Sequence, residues 1–285
     1  MTLATLTDVL RPCLADGTAV AGLVVLGWED AVAYVRAAEA ERRPVILQAG
    51  PGARAHTPLP VLGAMFRNLA ETAEVPVVAH LDHGEDLAVC QRAIDCGFTS
   101  VMYDGSALPL AENIARTAEI VRLGHASGVS VEAELGFVGY DGGAASRGTD
   151  PDEVAEFRRE TGIDALAVSV GNSHLMTRPG AEVDWRQLRA IEAAAPGLPL
   201  VLHGGSGLPQ DLRWRLAQDS AVVKFNIGTE LRQAFGTALR QALARDPAEF
   251  DRIRLLRQTI EPVTLAARAV IAGLARPPAP ASRAE

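Results

Sequence analysis

Three segments of the chain share one feature, a short apolar run with a histidine at or just past its end: VPVVAHLDHG (75–84), ALAVSVGNSH (165–174) and LPLVLHGGSG (198–207). Continuous apolar runs of this length are typical of strands that are buried on both faces of a parallel sheet. Side chains that leave neighbouring parallel strands at the same end can converge on one point. Three imidazoles also leave a fourth position open on a zinc ion. The segments therefore predict a parallel sheet and a zinc site formed by His83, His174 and His203.

The alternation of predicted strands and helices along the whole chain predicts a barrel. Short runs rich in Val, Ile and Leu alternate with amphipathic segments of helical length. The runs predict eight strands, near 19–25, 44–48, 77–82, 100–103, 130–134, 165–170, 199–203 and 222–227. The segments between them predict helices, among them 30–41, 87–96, 110–127, 151–161 and 185–195. We expect an α/β fold, a (β/α)8 barrel in one domain (1–275) with C-terminal helices, and the alternative is a doubly wound sheet. The Pro- and Ala-rich end, 276–285, is expected to be a flexible tail.

Composition narrows the class of partner. The chain has 285 residues and a net charge of −8 with no run of Lys or Arg, which argues against nucleic acid and anionic membranes as partners. No segment approaches the roughly 20 apolar residues of a membrane span, and the start lacks the features of a signal peptide. We therefore expect a cytoplasmic protein with a small-molecule partner. Cys13, Cys90 and Cys96 lack metal-type spacing and are expected to pack as small apolar side chains.

Carboxylates also stand at the ends of the predicted strands. Asp82 directly precedes His83, so it could transfer a proton to or from a substrate oxygen, and the alternative is that it orients a histidine. Asp104 and Glu134 have three open roles. They could bind a second cation, divalent or monovalent, orient the histidines that bind the first, or cap a turn.

Strand alternation predicts a further polar layer inside the barrel. His80 should face inward one layer below the site, as a buried polar residue and not as a metal ligand. Glu132 and Glu134 should share one inward face, and Lys224 should face inward from the last strand. Since an unpaired buried charge is costly, we expect Lys224 to neutralise one of these two carboxylates.

Two glycine-containing loops predict a phosphate site. The run 203–207 follows the seventh predicted strand, and the run 226–230 leads from the eighth strand into a helix. Glycines let main-chain N–H groups approach an anion, and a helix N-terminus adds a favourable dipole. Most loops of this kind are ordinary turns, but the position after a candidate ligand favours phosphate. The predicted phosphate-binding residues are Gly204, Gly205, Ser206, Asn226, Ile227, Gly228 and Thr229.

These segments resemble a known family in order and spacing. The matching blocks are HLDHG (80–84), SVMYDGS (100–106), SVEAELG (130–136), TGIDALAVSVGNSH (161–174), LVLHGGSGLP (200–209) and KFNIGTEL (224–231). They look like the signature blocks of the class II, zinc-dependent fructose- and tagatose-bisphosphate aldolases, and the likeness covers about residues 77–240.

The resemblance implies a lyase that cleaves or forms a ketose phosphate through the enediolate of dihydroxyacetone phosphate. It implies that Asp82 is the acid/base at the C4 oxygen and that the three histidines bind zinc. Asp104 and Glu134 would be polar residues that accompany a metal. The two glycine loops would bind the phosphate of dihydroxyacetone phosphate. It also implies a homodimer or homotetramer.

The chain departs from the family pattern at three places near the substrate. Leu23 and Val24 replace a Phe-Asn pair, and Leu175 replaces a glycine. The block 226–231 (NIGTEL) has no acidic residue at the position that some fructose-bisphosphate enzymes use to bind the second phosphate end. Two alternatives therefore stay open, a metal-dependent sugar-phosphate isomerase or epimerase and a non-catalytic relative that binds a phosphorylated ligand. The glycine-rich loop 136–150 could close over the substrate, and Asp141 or Asp150 could protonate the substrate carbon.

Overall fold

Runs of Val, Ile and Leu form a closed parallel barrel in the computed structural model, which describes residues 2–139, 145–177 and 180–275. The barrel strands are β2 (Val20–Val24), β3 (Val45–Ala49), β4 (Val77–Gly84), β5 (Ser100–Tyr103), β6 (Ser130–Leu135), β7 (Ala165–Val168), β8 (Leu200–Leu202) and β9 (Val222–Ile227). Each strand pairs in parallel with the next, and β2 also pairs with β9, which closes the ring. The predicted barrel is confirmed. The doubly wound alternative is wrong, because an open sheet would leave two edges unpaired.

Helices surround the barrel and follow most of its strands. They are α1 (Leu6–Asp16), α2 (Trp28–Glu41), α3 (Pro51–His56), α4 (Leu59–Thr72), α5 (Leu87–Asp95), α6 (Leu110–Ala126), α7 (Pro151–Thr161), α8 (Trp185–Ala194), α9 (Gln210–Asp219), α10 (Thr229–Arg245) and α11 (Arg252–Gly273). The final helix, α11, packs against α2 and α10, so the predicted C-terminal helical extension is present.

Helix α1 closes one end of the barrel. A two-residue strand, β1 (Leu3–Ala4), pairs with the start of β4 and leads into α1. It is too short to show a periodic sequence pattern. Leu6 and Leu10 of α1 pack with inward-facing strand residues such as Val78 and Val201. Because α1 covers the end at which the strands begin, the accessible end is the one at which they finish, where active sites of such barrels lie.

The expectations for the cysteines, for membrane spans and for the C-terminal tail are compared with the structure next. Cys13 and Cys90 are buried, Cys96 is partly exposed, and all three are free thiols. Within the described residues no helix combines the length and apolar character that crossing a membrane requires. The predicted tail 276–285 and Asp141 lie outside the described residues.

Candidate metal and substrate site

Strand β4 ends in an irregular turn that aims two consecutive side chains at the barrel mouth. The register between β4 and β5 shifts between Leu81 and Gly84, and His83 has a positive φ of 49°. Because the backbone turns there, Asp82 and His83 do not point to opposite faces as they would in a regular strand. Arg54 of α3 fixes this turn, since Nη1 donates to the Asp82 carbonyl at 2.7 Å and Nη2 to the His83 carbonyl at 3.0 Å.

Two loops bring the other histidines to the same place. His203 follows β8, and the next residue, Gly204, has a φ of 66°. A Cβ on Gly204 would lie 2.0 Å from the carbonyl oxygen of Ser173, so only glycine lets these loops pack. The backbone N–H of His174 donates to the Gly139 carbonyl at 2.8 Å, which ties its loop to the segment that follows β6.

The structure brings the three predicted zinc ligands together. The ring centroids of His83 and His203 lie 4.7 Å apart, and the centroid of His174 lies 5.6 Å from each of them. One ring nitrogen from each residue lies within 4.8 Å of the other two. Residues from three separate loops can therefore reach one cation.

A second group of possible ligands shares His83. It consists of His83, Asp104 and Glu134, again with one ligand atom each within 4.8 Å. Nδ1 of His83 lies 2.8 Å from Oδ2 of Asp104, whose Oδ1 accepts from the Oγ of Ser106 at 2.7 Å. Asp104 thus orients His83, as carboxylates commonly do for metal-binding histidines. The binding of a second cation by Asp104 and Glu134 stays a prediction.

Burial and charge set the protonation of the site. Burial lowers the pKa of His174 to about 4, so its imidazole is neutral and keeps a lone pair for a cation. Burial also lowers the pKa of His203, well below its usual value. Burial by itself would lower the pKa of His83, but Asp82 and the other nearby carboxylates outweigh it and raise it to about 10. Burial raises the pKa of Glu134 to about 8.

Asp82 is held by an amide. Nδ2 of Asn226 donates to Oδ1 of Asp82 at 3.1 Å, while Oδ2 of Asp82 makes no hydrogen bond within the described residues. Burial alone would raise the pKa of Asp82, but the positive charges of His83 and, further away, Lys224 lower it, so the group is a carboxylate. The side chain of Asn226 thus positions Asp82, and its role in binding phosphate stays a prediction.

The two glycine loops face each other across the strand ends. Helix α10 begins after Gly228, and no side chain caps its first N–H groups apart from a 3.4 Å contact of the Glu230 N–H with Oγ of Ser206. Arg213 joins the loops, because Nε donates to the Leu208 carbonyl at 2.9 Å and Nη2 donates to Glu230 at 2.8 Å. The loops therefore present main-chain donors to an anion.

Both glycine loops line one cavity together with Asp82 and His174. Three further residues line the same cavity: Val24, Leu175 and Arg232. Arg232 was missed by sequence reasoning. It lies one turn into α10 and could have been found from the helical spacing to Gly228. Arg54 gave no sequence signal, since α3 does not belong to a matching motif.

An isolated antiparallel bridge joins Phe137 and Arg147, which lie in the described parts of the loop 136–150. The N–H of Phe137 donates to the carbonyl of Arg147 at 2.8 Å, and the reverse bond has the same length. Asp150 accepts a hydrogen bond from the N–H of Asp152 as the N-cap of α7, and it is not among the residues that line the cavity. Of the two candidates for protonating the carbon, Asp141 lies outside the described residues.

Comparisons with known proteins agree with this geometry. The chain matches the family described as "Fructose-bisphosphate aldolase class-II" over residues 4–275. It is 43% identical over 238 residues to a fructose-bisphosphate aldolase of Streptococcus pyogenes serotype M3, covering 79% of this chain and 78% of that protein. It is 38% identical over 258 residues to one from Geobacillus stearothermophilus, covering 88% and 89%.

A solved structure gives the same result. The crystal structure of the YdjI aldolase from Escherichia coli K12 superposes with a TM-score of 0.83 at 32% identity and covers 95% of this chain and 97% of that one. The predicted resemblance and the predicted aldolase class are thus confirmed, and the chain belongs to the class II fructose-bisphosphate aldolase family.

Proposed function

We propose that this chain is a zinc-dependent aldolase that cleaves or forms a ketose phosphate or bisphosphate with dihydroxyacetone phosphate as the donor. The observation that carries the proposal is the convergence of His83, His174 and His203, with ring nitrogens within 4.8 Å of one another, beside Asp82. Family membership supports a divalent cation and a phosphorylated sugar as substrate.

The unpartnered atoms of the site fit a cation. Nδ1 of His203 and Oε2 of Glu134 are buried without a hydrogen-bond partner in the described part of the chain, and they lie 3.6 Å apart. Buried polar atoms are rarely left unsatisfied unless something else binds them. Three imidazoles with nearby carboxylates favour zinc over magnesium or calcium, which prefer sets made only of oxygen ligands. When bound, the cation supplies positive charge that stabilises the negative charge developed as a carbon–carbon bond breaks.

The chain's own residues perform the proton transfer and the binding. Asp82 accepts the proton of the C4 hydroxyl in cleavage and returns it in synthesis, with Asn226 holding the other carboxylate oxygen in place. The donor phosphate is bound by the main-chain N–H groups of 204–206 and 226–229. The guanidinium of Arg232 adds positive charge at the edge of the same cavity.

The test is turnover of purified, zinc-loaded protein with dihydroxyacetone phosphate and a panel of aldehydes. We expect carbon–carbon bond formation, which zinc removal by a chelator abolishes and zinc addition restores. Asp82→Asn should lower kcat by roughly 100- to 10,000-fold with unchanged zinc content, because a proton acceptor is lost. Asp95→Asn on the exposed surface of α5 is the matched control and should retain full activity.

Other outcomes would reject the proposal. An isomerised product, with no aldehyde released from any ketose phosphate, would favour an isomerase or epimerase. Phosphate binding and zinc binding with no turnover of any ketose would favour a non-catalytic relative.

We further propose that the chain forms a single domain over 1–275, works in the cytoplasm and assembles as a homodimer or homotetramer. An exposed apolar groove of about 740 Å³ supports self-association, because large exposed apolar patches mark interaction sites. Within and beside the groove, the side chain of Phe250 is 92% exposed, that of Val61 56% and that of Trp28 49%. Nucleic acid and membranes are not expected partners, given the net charge of −8.

A further inference from the structure

A fully buried polar layer lies directly beneath the three histidines. It contains Glu132 of β6, Lys224 of β9, His80 of β4 and Ser100 of β5, each with no exposed surface. None of the four lines the substrate cavity. Buried charge of this kind is costly unless it is paired, so its presence calls for a role.

The layer is a chain of hydrogen bonds that ends on His203. Nζ of Lys224 donates to Oε2 of Glu132 at 2.8 Å. The other oxygen of Glu132, Oε1, lies 3.3 Å from Nε2 of His203. On the far side, Nζ of Lys224 lies 3.5 Å from Nε2 of His80, whose Nδ1 lies 2.8 Å from Oγ of Ser100.

The chemistry of the donors and acceptors sets the direction of each hydrogen bond in this layer. An ammonium group has only donors and a carboxylate has only acceptors, so Glu132 must accept from both of its neighbours. A neutral histidine carries one proton, and here that proton belongs on Nε2. The lone pair is then on Nδ1, the buried atom of His203 that makes no hydrogen bond within the described residues.

We propose that Lys224 and Glu132 are a positioning pair that fixes His203 in its Nε2–H tautomer and leaves Nδ1 available to the cation. The inference rests on the proposed function only in assigning His203 to the metal. Lys224 acts through Glu132, because its ammonium binds Oε2 and so holds the carboxylate with Oε1 toward Nε2 of His203.

The decisive variant is Glu132→Gln, which keeps the shape and changes one acceptor into a donor. The ammonium of Lys224 can accept nothing, so the new amide must turn its oxygen toward Lys224 and its NH2 toward Nε2 of His203. We expect His203 to switch to the Nδ1–H tautomer, and we expect zinc affinity to fall by about 10- to 100-fold. The tautomer is measured from the ring ¹⁵N shifts of His203 in metal-free protein, assigned with His203→Gln, and the affinity by competition with a chelator.

A second variant separates positioning from loss of charge or packing. In the Glu132→Gln/Lys224→Met double variant the amide is free to turn its oxygen toward His203. The Nε2–H tautomer and most of the zinc affinity should therefore return, although a salt bridge has been removed. Gln48→Met is the matched control, since Gln48 is also buried inside the barrel but its side chain makes no hydrogen bond to any described residue. Both readouts should be unchanged.

The outcomes are distinct. An Nδ1–H tautomer in the wild-type protein, an unchanged tautomer in Glu132→Gln, or a double variant no better than the single one would overturn the positioning pair. If the wild-type protein bound no zinc, the proposed function would be rejected, whereas the tautomer measurements would still support or contradict the positioning role on their own.

Discussion

A single leucine shapes the entrance to the cavity. Leu175 follows His174 and has a φ of 59°, in the left-handed region that bulky residues rarely adopt. Its side chain is half exposed and lines the same cavity as Asp82 and the glycine loops. The backbone therefore takes a path suited to glycine, while the side chain narrows the mouth of the site.

We expect Leu175→Gly to do two things. It should raise the free energy of unfolding by about 1 kcal/mol, because the left-handed conformation is strained for leucine. It should also lower KM for bulkier aldehydes, because the mouth widens. Urea denaturation and steady-state kinetics measure the two effects.

Leu175→Ala separates strain from crowding. Alanine keeps the strained backbone but removes the branched side chain, so it should lower KM in the same way without the gain in stability. Equal stability of the glycine and alanine variants would contradict the strain argument.

The burial of the cysteines predicts which of the three thiols react at pH 8. Burial raises the pKa of the Cys90 thiol to about 12 and also raises that of Cys13. Because the thiolate is the reactive form, both should stay protonated and unreactive at pH 8, while the partly exposed Cys96 reacts. A colorimetric thiol reagent at pH 8 should label about one thiol in the native protein and all three in denaturant.

Two variants identify the thiol that reacts in the native protein. Cys96→Ser should remove the native reaction and Cys90→Ser should not. Rapid native labelling of two thiols would contradict this.

At the scale of elements, the short helix α3 controls the end of β4. Arg54, with its side chain 8% exposed, also donates to the Ala49 carbonyl at 3.0 Å and forms an ion pair with Glu85 at 2.6 Å. Together with the bonds to the carbonyls of Asp82 and His83, these contacts join β3, α3 and the turn after β4. One side chain thus holds the backbone of Asp82, the proposed acid/base, and of His83, a candidate metal ligand.

Arg54→Met should therefore weaken both the fold and the site. We expect the free energy of unfolding to fall by about 3 kcal/mol, because several carbonyls lose charge-assisted hydrogen bonds. Zinc affinity should fall as well, since the turn at His83 is no longer held. Thermal denaturation and chelator competition are the measurements. Arg67→Met is the control, because its 3.6 Å pair with Glu71 is exposed and contributes little. Equal behaviour of the two variants would show that Arg54 does not hold the turn.

At the scale of the whole molecule, the apolar groove is a part of the surface where large apolar side chains stay exposed to water. It lies between the start of α2, α4, α10 and the start of α11. Arg232 lines this groove as well as the catalytic cavity, so the two openings adjoin. A second copy seated on the groove would therefore lie next to the active site.

Negative charge introduced into the groove by substitution should prevent self-association. We expect the wild-type protein to sediment as a dimer or larger, because exposed Phe250 and Val61 gain by leaving water. The Val61→Glu/Phe250→Glu double variant should sediment as a monomer, since burying two carboxylates is costly. Leu265→Glu, at an exposed apolar residue outside the groove, is the control and should not change the mass. A monomeric wild-type protein at micromolar concentration would contradict the proposal.

The barrel could be predicted closely because its signals are local. Each of the eight predicted strands lies within two residues of the observed one, since an uninterrupted apolar run marks a strand buried on both faces. The three histidines could be placed for the same reason, because they stand where those runs end. Strand β1 could not be predicted, as two residues carry no period. Arg54 could not be assigned either, because its partners are backbone carbonyls that any sequence supplies.

The sequence by itself determined the order of strands and helices and the chemical groups at the strand ends, because period and composition act over a few residues. Only the tertiary structure decided which groups meet. Glu132 pairs with Lys224, while Oε2 of Glu134, two residues further along the same strand, makes no hydrogen bond within the described residues. Asn226 binds Asp82 across 144 positions of sequence. Hydrogen bonding and protonation depend on distances of a few ångströms, and closure of the barrel sets those distances.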